Sequence, residues 1–509
     1  MEEKIIKTNV LVNDVLFNET AEQPIDVDFS LPDFCPDISK ILKCRAVSRI
    51  SSKSINGKNI TVDGCVCITV LYCDETGKLC SYEYQYPFSK NLEMSEEGGS
   101  ANLCCRTKCE YINCRAVTGR KIDIHGAVSI SVRVFRRKGT DIISDIDDPN
   151  IEQRRGTAHA TIPMGYSEKY LMVEEDIAIG QGQPTIGRIL RCDAKPCVRE
   201  SKIINDKTVV KGDMAVWILY SPEDEGAPQC VKTVIPFSQI IDMEGITDSC
   251  ECETKSETAF LEIKPKSGEG GAKCFSLTAK LLLSCEAFCG NDIAVLLDAF
   301  SRKYMADIKK ERISFNKICD SVSEIFHCKK NIELDEPVSS VTDLWCDMQS
   351  VNTKFENENM LVNGTVIACV LACAGTGEAV YFEKPIDFEY KYPLKAPSSA
   401  LHCTPEIDIS SCGYTIMSAE NIELRIDLSV NAAIYNCLDM PLITEIRVDE
   451  GRPAEITAKC AMTIYFTGAG ECVWDIAKHY NASTEEIMKI NELESECLPE
   501  GKMLLIPAL

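Results

Sequence analysis

Over most of the chain, apolar and polar residues alternate with a period of two, as strands with one buried face require. Cys65-Val-Cys-Ile-Thr-Val-Leu-Tyr72, Asp213-Met-Ala-Val-Trp-Ile-Leu-Tyr220 and Thr365-Val-Ile-Ala-Cys-Val-Leu-Ala372 read as strands. Each runs into a polar turn: Asp74-Glu-Thr-Gly77, Pro222-Glu-Asp-Glu-Gly226 and Ala374-Gly-Thr-Gly377. A second strand follows each turn, so every copy contains a hairpin. Lys121-Ile-Asp-Ile-His125-Gly126-Ala-Val-Ser-Ile-Ser-Val-Arg-Val134 and Asn421-Ile-Glu-Leu-Arg-Ile-Asp-Leu-Ser-Val430 alternate over longer stretches. At Pro36–Cys44 and Pro184–Cys192 the apolar spacing changes to three behind a proline, which predicts short helices there.

These segments repeat. Pro36-Asp-Ile38-Ser-Lys-Ile41-Leu42-Lys-Cys44 recurs as Pro184-Thr-Ile186-Gly-Arg-Ile189-Leu190-Arg-Cys192, with a looser third copy at Pro337, Val341 and Cys346. Val62-Asp-Gly64, Val210-Lys-Gly212 and Val362-Asn-Gly364 place a glycine in each copy, with steps of 148 (212 − 64) and 152 (364 − 212). Pro87, Pro236 and Pro385 keep a constant step of 149. Two landmarks held in register over three copies define a true repeat. The expected architecture is mainly β: tandem sandwich-like or half-open barrel repeats at about 1–160, 161–325 and 326–455, with Gly64, Gly212 and Gly364 at equivalent positions.

The last fifty residues follow a different pattern. Thr463-Ile-Tyr-Phe466 is strand-like, and Trp474, Ala477, Ile476 and Tyr480 are spaced for one face of a helix. Asn481 is a left-handed stop, and Ser483-Thr-Glu-Glu486 forms a capping box ahead of Ile487 and Ile490. Gly501 turns the chain into Lys-Met-Leu-Leu-Ile506, closed by Pro507. This β, two helices, β order, with Gly470-x-x-x-Trp474 at its start and Pro499-x-Gly501-x-x-x-x-Ile506-Pro507 at its end, resembles the LysM module. The resemblance implies a small α+β (βααβ) domain over 460–509 with a groove for N-acetylglucosamine glycans. Carried over, the groove has Gly470, Glu471 and Cys472 on one side and Asn491, Leu493, Pro499 and Gly501 on the other. Cys472 stands where the family usually carries Thr or Ser; a thiol is a weaker donor and a poorer helix cap, which favours a protein partner over a sugar. The Glu471 and Asn491 side chains are expected to face solvent and to be dispensable for folding, and Trp474 to fill the module core.

Composition narrows the function. The chain has 509 residues and a formal net charge of −24, which argues against a nucleic-acid surface. No apolar run reaches a membrane span, and the amino terminus has no hydrophobic signal region, so a cytoplasmic location is expected. Twenty-nine cysteines are many, yet no Cys-x-x-Cys occurs, and most are expected to be reduced. Cys104-Cys105 with Cys109 and Cys114 is the densest group, and Cys65 and Cys67 would share one strand face. Small structural thiols explain these better than a metal site. The five histidines, His125, His159, His327, His402 and His479, are scattered, and no Gly-x-Ser-x-Gly or His-Glu-x-x-His occurs. Gly268-Glu-Gly-Gly271-Ala-Lys273 lacks the hydroxyl residue of a phosphate loop and reads as a linker. No catalytic residue, metal or cofactor is expected.

The repeated Pro-x-Ile-x-x-Ile-Leu, the Val-x-Gly strands ending in Leu-Tyr, and Leu297-Asp-Ala-Phe-Ser-Arg-Lys-Tyr304 resemble the SPOCS (DUF3794) domain of SipL-like proteins of spore-forming bacteria, in which such domains precede a C-terminal LysM module. The resemblance implies a non-enzymatic scaffold of spore coat assembly, made in the mother cell and placed at the forespore surface. Its LysM module would dock a coat morphogenetic ATPase or another coat protein. The alternative is a peptidoglycan-binding protein that anchors the repeats to the cortex or cell wall.

Overall fold

The computed structural model describes residues 4–224, 226–268, 271–395, 401–403, 405–454 and 462–507. Residues 269 and 270 of the glycine-rich linker, and the junction 455–461 ahead of the terminal module, lie outside the described residues.

The chain is mainly β. Six strands make the first copy: β1 (Lys4–Ser30), β2 (Lys40–Asn56), β3 (Asn59–Cys73), β4 (Leu79–Glu93), β5 (Asn102–Ala116) and β6 (Lys121–Asp147). They form two antiparallel sheets, ordered β1-β6-β5 and β2-β3-β4. The alternation in β3 turns Ile60, Val62, Val66, Ile68 and Val70 inward, and that in β6 turns Ile122, Ile124, Val128, Ile130, Val132 and Val134 inward; together they form one apolar core.

The second copy repeats this order with β7 (Ile151–Ala178), β8 (Ile186–Ile203), β9 (Lys207–Pro222), β10 (Gln229–Asp242), β11 (Glu251–Lys266) and β12 (Cys274–Ser301), in sheets β11-β12-β7 and β10-β9-β8. The third has β13 (Tyr304–Glu333), β14 (Val338–Glu356), β15 (Asn359–Ala374), β16 (Ala379–Pro393), β17 (Leu401–Cys403), β18 (Glu406–Ser418) and β19 (Asn421–Pro453). Here β19 pairs with β13 on one side and with β17 and β18 on the other, and β14-β15-β16 is the second sheet.

Gly64, Gly212 and Gly364 occupy the same place on the three central strands β3, β9 and β15, opposite Phe88, Phe237 and Phe388. A Cβ there would lie 2.3, 2.4 and 2.6 Å from the ring of that phenylalanine, and 2.5, 2.4 and 2.5 Å from the carbonyls of Arg49, Cys197 and Ser350. Glycine is required because ring and backbone close over the position from both sides.

The helices predicted at Pro36–Cys44 and Pro184–Cys192 are absent; both stretches are irregular chain leading into a strand, β2 or β8. The register slips between Ile41 and Lys43, and again between Ile186 and Arg188 and between Ile189 and Arg191. Each bulge inserts one residue, so residues three apart return to the same face. Ile38, Ile41 and Cys44 thus share one core, and Ile186, Ile189 and Cys192 another. Both prolines have the same partner: Tyr72 and Tyr220 donate their hydroxyls to the carbonyls of Pro36 and Pro184, at 3.1 Å in both copies.

Beyond the three-stranded sheets the longest strands continue as two-stranded ribbons, β1 with β6, β7 with β12 and β13 with β19. The ribbons pack on one another through equivalent residues. Ile143, Leu296 and Ile443, each 22 residues into its strand (β6, β12, β19), share a buried cluster with Ile146, Ala299 and Ile446. At another level Leu71, Leu219 and Leu371, each seven residues past its glycine, meet in a second cluster. Equivalent residues meeting in threes is what an approximate threefold arrangement of the copies produces.

The charges around these contacts are not threefold. The ladder partners of the three leucines are Lys43, Arg191 and Asp343. Arg191 donates to Asp343 at 2.7 and 3.1 Å with both side chains buried, and its guanidinium lies 4.4 Å over the Trp345 ring. A second equivalent set is Arg106, Lys255 and Glu406, whose partners Ser131, Ser284 and Asn431 each stand ten residues into their strands. Glu406 pairs with both cations, at 3.2 Å from Lys255. In each set the first two copies supply a cation and the third the anion.

Candidate functional site

The terminal module is the candidate site. Met462–Phe466 (β20), Val473–Tyr480 (α1), Thr484–Ile490 (α2) and Met503–Pro507 (β21) give the βααβ order, with β20 and β21 antiparallel. Asn481 ends α1 with φ 50°, and Ser483 accepts the Glu486 amide at 3.4 Å. Val473, Trp474, Ile476, Ala477, Ile487, Leu504 and Ile506 fill the core. Ile490, expected to join them, is exposed because it falls at the end of a seven-residue helix, off the inward face.

Of the expected groove residues, Gly470, Glu471 and Cys472 lie on one loop and Pro499 and Gly501 on a facing one, whereas Asn491 and Leu493 follow α2. Thr467 joins the two loops: its hydroxyl donates to the Pro499 carbonyl at 2.6 Å, and its own carbonyl accepts the Gly501 amide at 2.7 Å. Gly470 and Gly501 have φ of +80° and +75°, conformations that favour glycine at both turns. Cys472 caps α1 by position but gives it no side-chain hydrogen bond; its thiol instead donates to Asp475 at 2.9 Å. Burial first, and then that carboxylate, push the Cys472 thiol up. Leu493 packs against the core.

Glu471 and Asn491 do not face solvent as expected. Glu471 accepts from the Tyr465 hydroxyl at 2.8 and 2.9 Å and from the Gly468 amide at 2.8 Å, so it braces the first loop. Asn491 donates to the carbonyls of Ile487 and Leu505 at 2.8 and 2.7 Å and accepts the Leu505 amide at 2.7 Å, tying α2 to β21. The alternation that marks a strand says nothing about a side chain bonding to backbone fourteen residues away, so this role was invisible in sequence.

Trp474 is 3 % exposed, as expected of the core, but part of its cover comes from outside the module. Its ring meets Phe300 edge-on at 5.2 Å, and its indole N–H donates to Asp298 at 2.9 Å. Lys478 and Lys310 also reach Asp298, at 2.7 and 2.8 Å. Burial pushes the Asp298 carboxyl up, but the bonds from Lys310, Lys478 and Trp474 outweigh it and hold the carboxyl at about 2. Asp298 and Phe300 belong to the Leu297–Tyr304 motif, so that motif is the seat of the module. A cleft of about 680 Å³ separates the module from Glu152–Arg155, with Leu493 on its wall.

Among the described residues, other polar clusters are built from carboxylates facing histidines or cations. His125, His159 and His327 each face a cross-strand aspartate: Asp26, Asp292 and Asp427. Asp427 stands between His327 and Ser411, so that imidazole has no hydroxyl to activate. Asp26, Asp123 and His125 bring ligand atoms within 4.8 Å on the surface. A cavity of about 1100 Å³ between the copies is lined by the paired charges Arg45 with Asp193 and Arg106 with Glu257 and Glu406. Among the described residues the cysteines are free thiols, and no helix is long and apolar enough to cross a membrane.

Comparison with known families agrees with this layout. Residues 37–117 and 185–266 match the SipL, SPOCS domain, and residues 468–507 match the LysM domain. Those two segments are SipL-like. The two SPOCS matches cover the corresponding strands β2–β5 and β8–β11 and contain Gly64 and Gly212. The third copy, outside both matches, has the same pair of sheets but carries Ala372 where the others have the hydroxyl-donating tyrosine. No curated protein and no solved structure matches the chain.

Proposed function

We propose that this SipL-like chain is a non-enzymatic scaffold of spore coat assembly, acting in the mother cell at the forespore surface, whose LysM module docks a coat morphogenetic protein. Three sandwich-like repeats, within about 1–160, 161–325 and 326–455, form the body, and 460–509 is the docking unit. The observation that carries the docking reading is the outward face of the β20–β21 ribbon. Met462, Ile464, Phe466 and Met503 are exposed there, with Leu505 half-buried beside them and no charge among them. An uncharged apolar face of this kind on so small a module suits a protein partner; with it we assign the groove residues Gly470, Glu471, Cys472, Asn491, Leu493, Pro499 and Gly501 to the docking surface.

The second reading, peptidoglycan binding that anchors the repeats to the cortex or cell wall, is favoured by the LysM match itself. Capture from sporulating cells with the full chain, against Ile464→Asp and Phe466→Asp, separates the two. Docking predicts a coat protein retained by the native chain and lost from both variants. Saturable binding of peptidoglycan fragments, equal in native chain and variants, with no coat protein retained, would establish the cell-wall reading instead.

A further inference from the structure

Cys472 and Cys497 stand on the two facing loops of the LysM module and are direct antiparallel partners. The Val473 amide, one residue on, donates to the Glu496 carbonyl, one residue back, at 2.9 Å. That pattern makes 472 and 497 a non-hydrogen-bonded pair, whose Cα atoms lie about 4.5 Å apart with side chains at their closest. A disulfide spans Cα separations of roughly 4.4–6.8 Å. Cys497 is exposed and Cys472 half-buried, so a soluble oxidant reaches the pair. Cys346 and Cys412 are also neighbours, but both are half-buried and stand on strands of different sheets, β14 and β18. Cys252 and Cys285 both contact Thr254, but their ladder partners are Ala287 and Thr254, so they are diagonal neighbours whose Cα atoms lie about 7–8 Å apart. Cys285, like Cys44, is buried.

We propose that Cys472 and Cys497 form a reversible disulfide that clasps the two loops of the module, with a small-molecule disulfide as oxidant. The exposed Cys497 thiolate attacks one sulfur of glutathione disulfide, expelling one glutathione thiolate and leaving a mixed disulfide on Cys497. Cys472 then passes its proton to water by way of Asp475, to which it already donates, and turns onto the Cys497 sulfur. The second glutathione leaves. Two protein thiols are oxidised and one glutathione disulfide is reduced to two thiols. The inference rests on the loop geometry and holds whether the module binds a protein or a glycan.

The test uses the full chain equilibrated over a graded series of reduced to oxidised glutathione, trapped by alkylation, digested and read by mass spectrometry. The Cys472–Cys497 cross-linked peptide is expected at a lower proportion of oxidised glutathione than any other intramolecular disulfide, and it should disappear on adding dithiothreitol. In Cys472→Ser, glutathione should remain on Cys497, because nothing is left to expel it. A native chain that keeps glutathione on Cys497, or that leaves both residues alkylatable after other pairs have closed, would overturn the proposal.

Discussion

Gly64, Gly212 and Gly364 show how far a single residue can be read from sequence. Their spacing marks them as equivalent, and the structure supplies the cause: a phenylalanine ring and a carbonyl close over each. Gly212→Ala should therefore cost about 1–3 kcal/mol, as overpacking in a filled core does. Urea unfolding would check this, and Phe237→Leu in the same chain should recover part of the loss by removing the clashing ring atoms. Asn491 is the opposite case. Nothing in the sequence shows its three backbone bonds, and an exposed position there would tolerate alanine. Asn491→Ala should instead cost about 1–3 kcal/mol by stranding backbone groups of Leu505 and Ile487. A module that unfolds at the native denaturant concentration in this variant would show that water replaces those bonds.

At the scale of elements, the seat of the LysM module is the decisive contact. The Asp298 carboxylate binds Trp474, Lys478 and Lys310, and its folded value of about 2 lies below the ordinary 3.8. A depressed carboxyl stabilises the folded arrangement above the unfolded value and loses that contribution as pH falls through the folded one. Docking of the module should therefore be unaffected from neutrality down to about pH 4 and should weaken between about pH 4 and 2. Hydrogen exchange at Asp298–Arg302 and along α1 measures this. Asp298→Asn should raise exchange there at neutral pH, whereas unchanged protection in that variant would assign the seat to the Phe300–Trp474 contact alone. The strand content and both helices of the module were legible from periodicity. The bulged starts of β2 and β8 were not, because one inserted residue turns a period of two into a spacing of three and imitates a helix.

At the scale of the whole molecule, three similar copies behave as one body because they are not identical. If every copy carried the same residue, Lys43, Arg191 and Asp343 would be three like charges around one contact. Instead the third copy answers Arg191 with Asp343, a buried pair, and Lys43 with Glu383. Removing one partner leaves the other charged and unsolvated, so Asp343→Ala should cost about 3–5 kcal/mol. Arg191→Met combined with Asp343→Leu should cost less than Asp343→Ala alone, as thermal unfolding of the two chains would show. Equal losses would mean that the remaining arginine reaches water. Glu406→Lys, which places a third cation beside Arg106 and Lys255, should loosen the packing of the three copies and do so more strongly at low salt.

The sequence by itself determined the β character, the threefold repetition, the glycine landmarks and the terminal βααβ module. Each of these depends on local periodicity, backbone conformation or spacing, which a linear pattern records. Only the tertiary structure decided that Asp298 holds the module, that Asn491 ties α2 to β21, that Arg191 meets Asp343, and that Cys472 faces Cys497. Those relations join residues from 14 (505 − 491) to 180 (478 − 298) positions apart. Which partners meet depends on how sheets and ribbons pack, and no period along the chain encodes that.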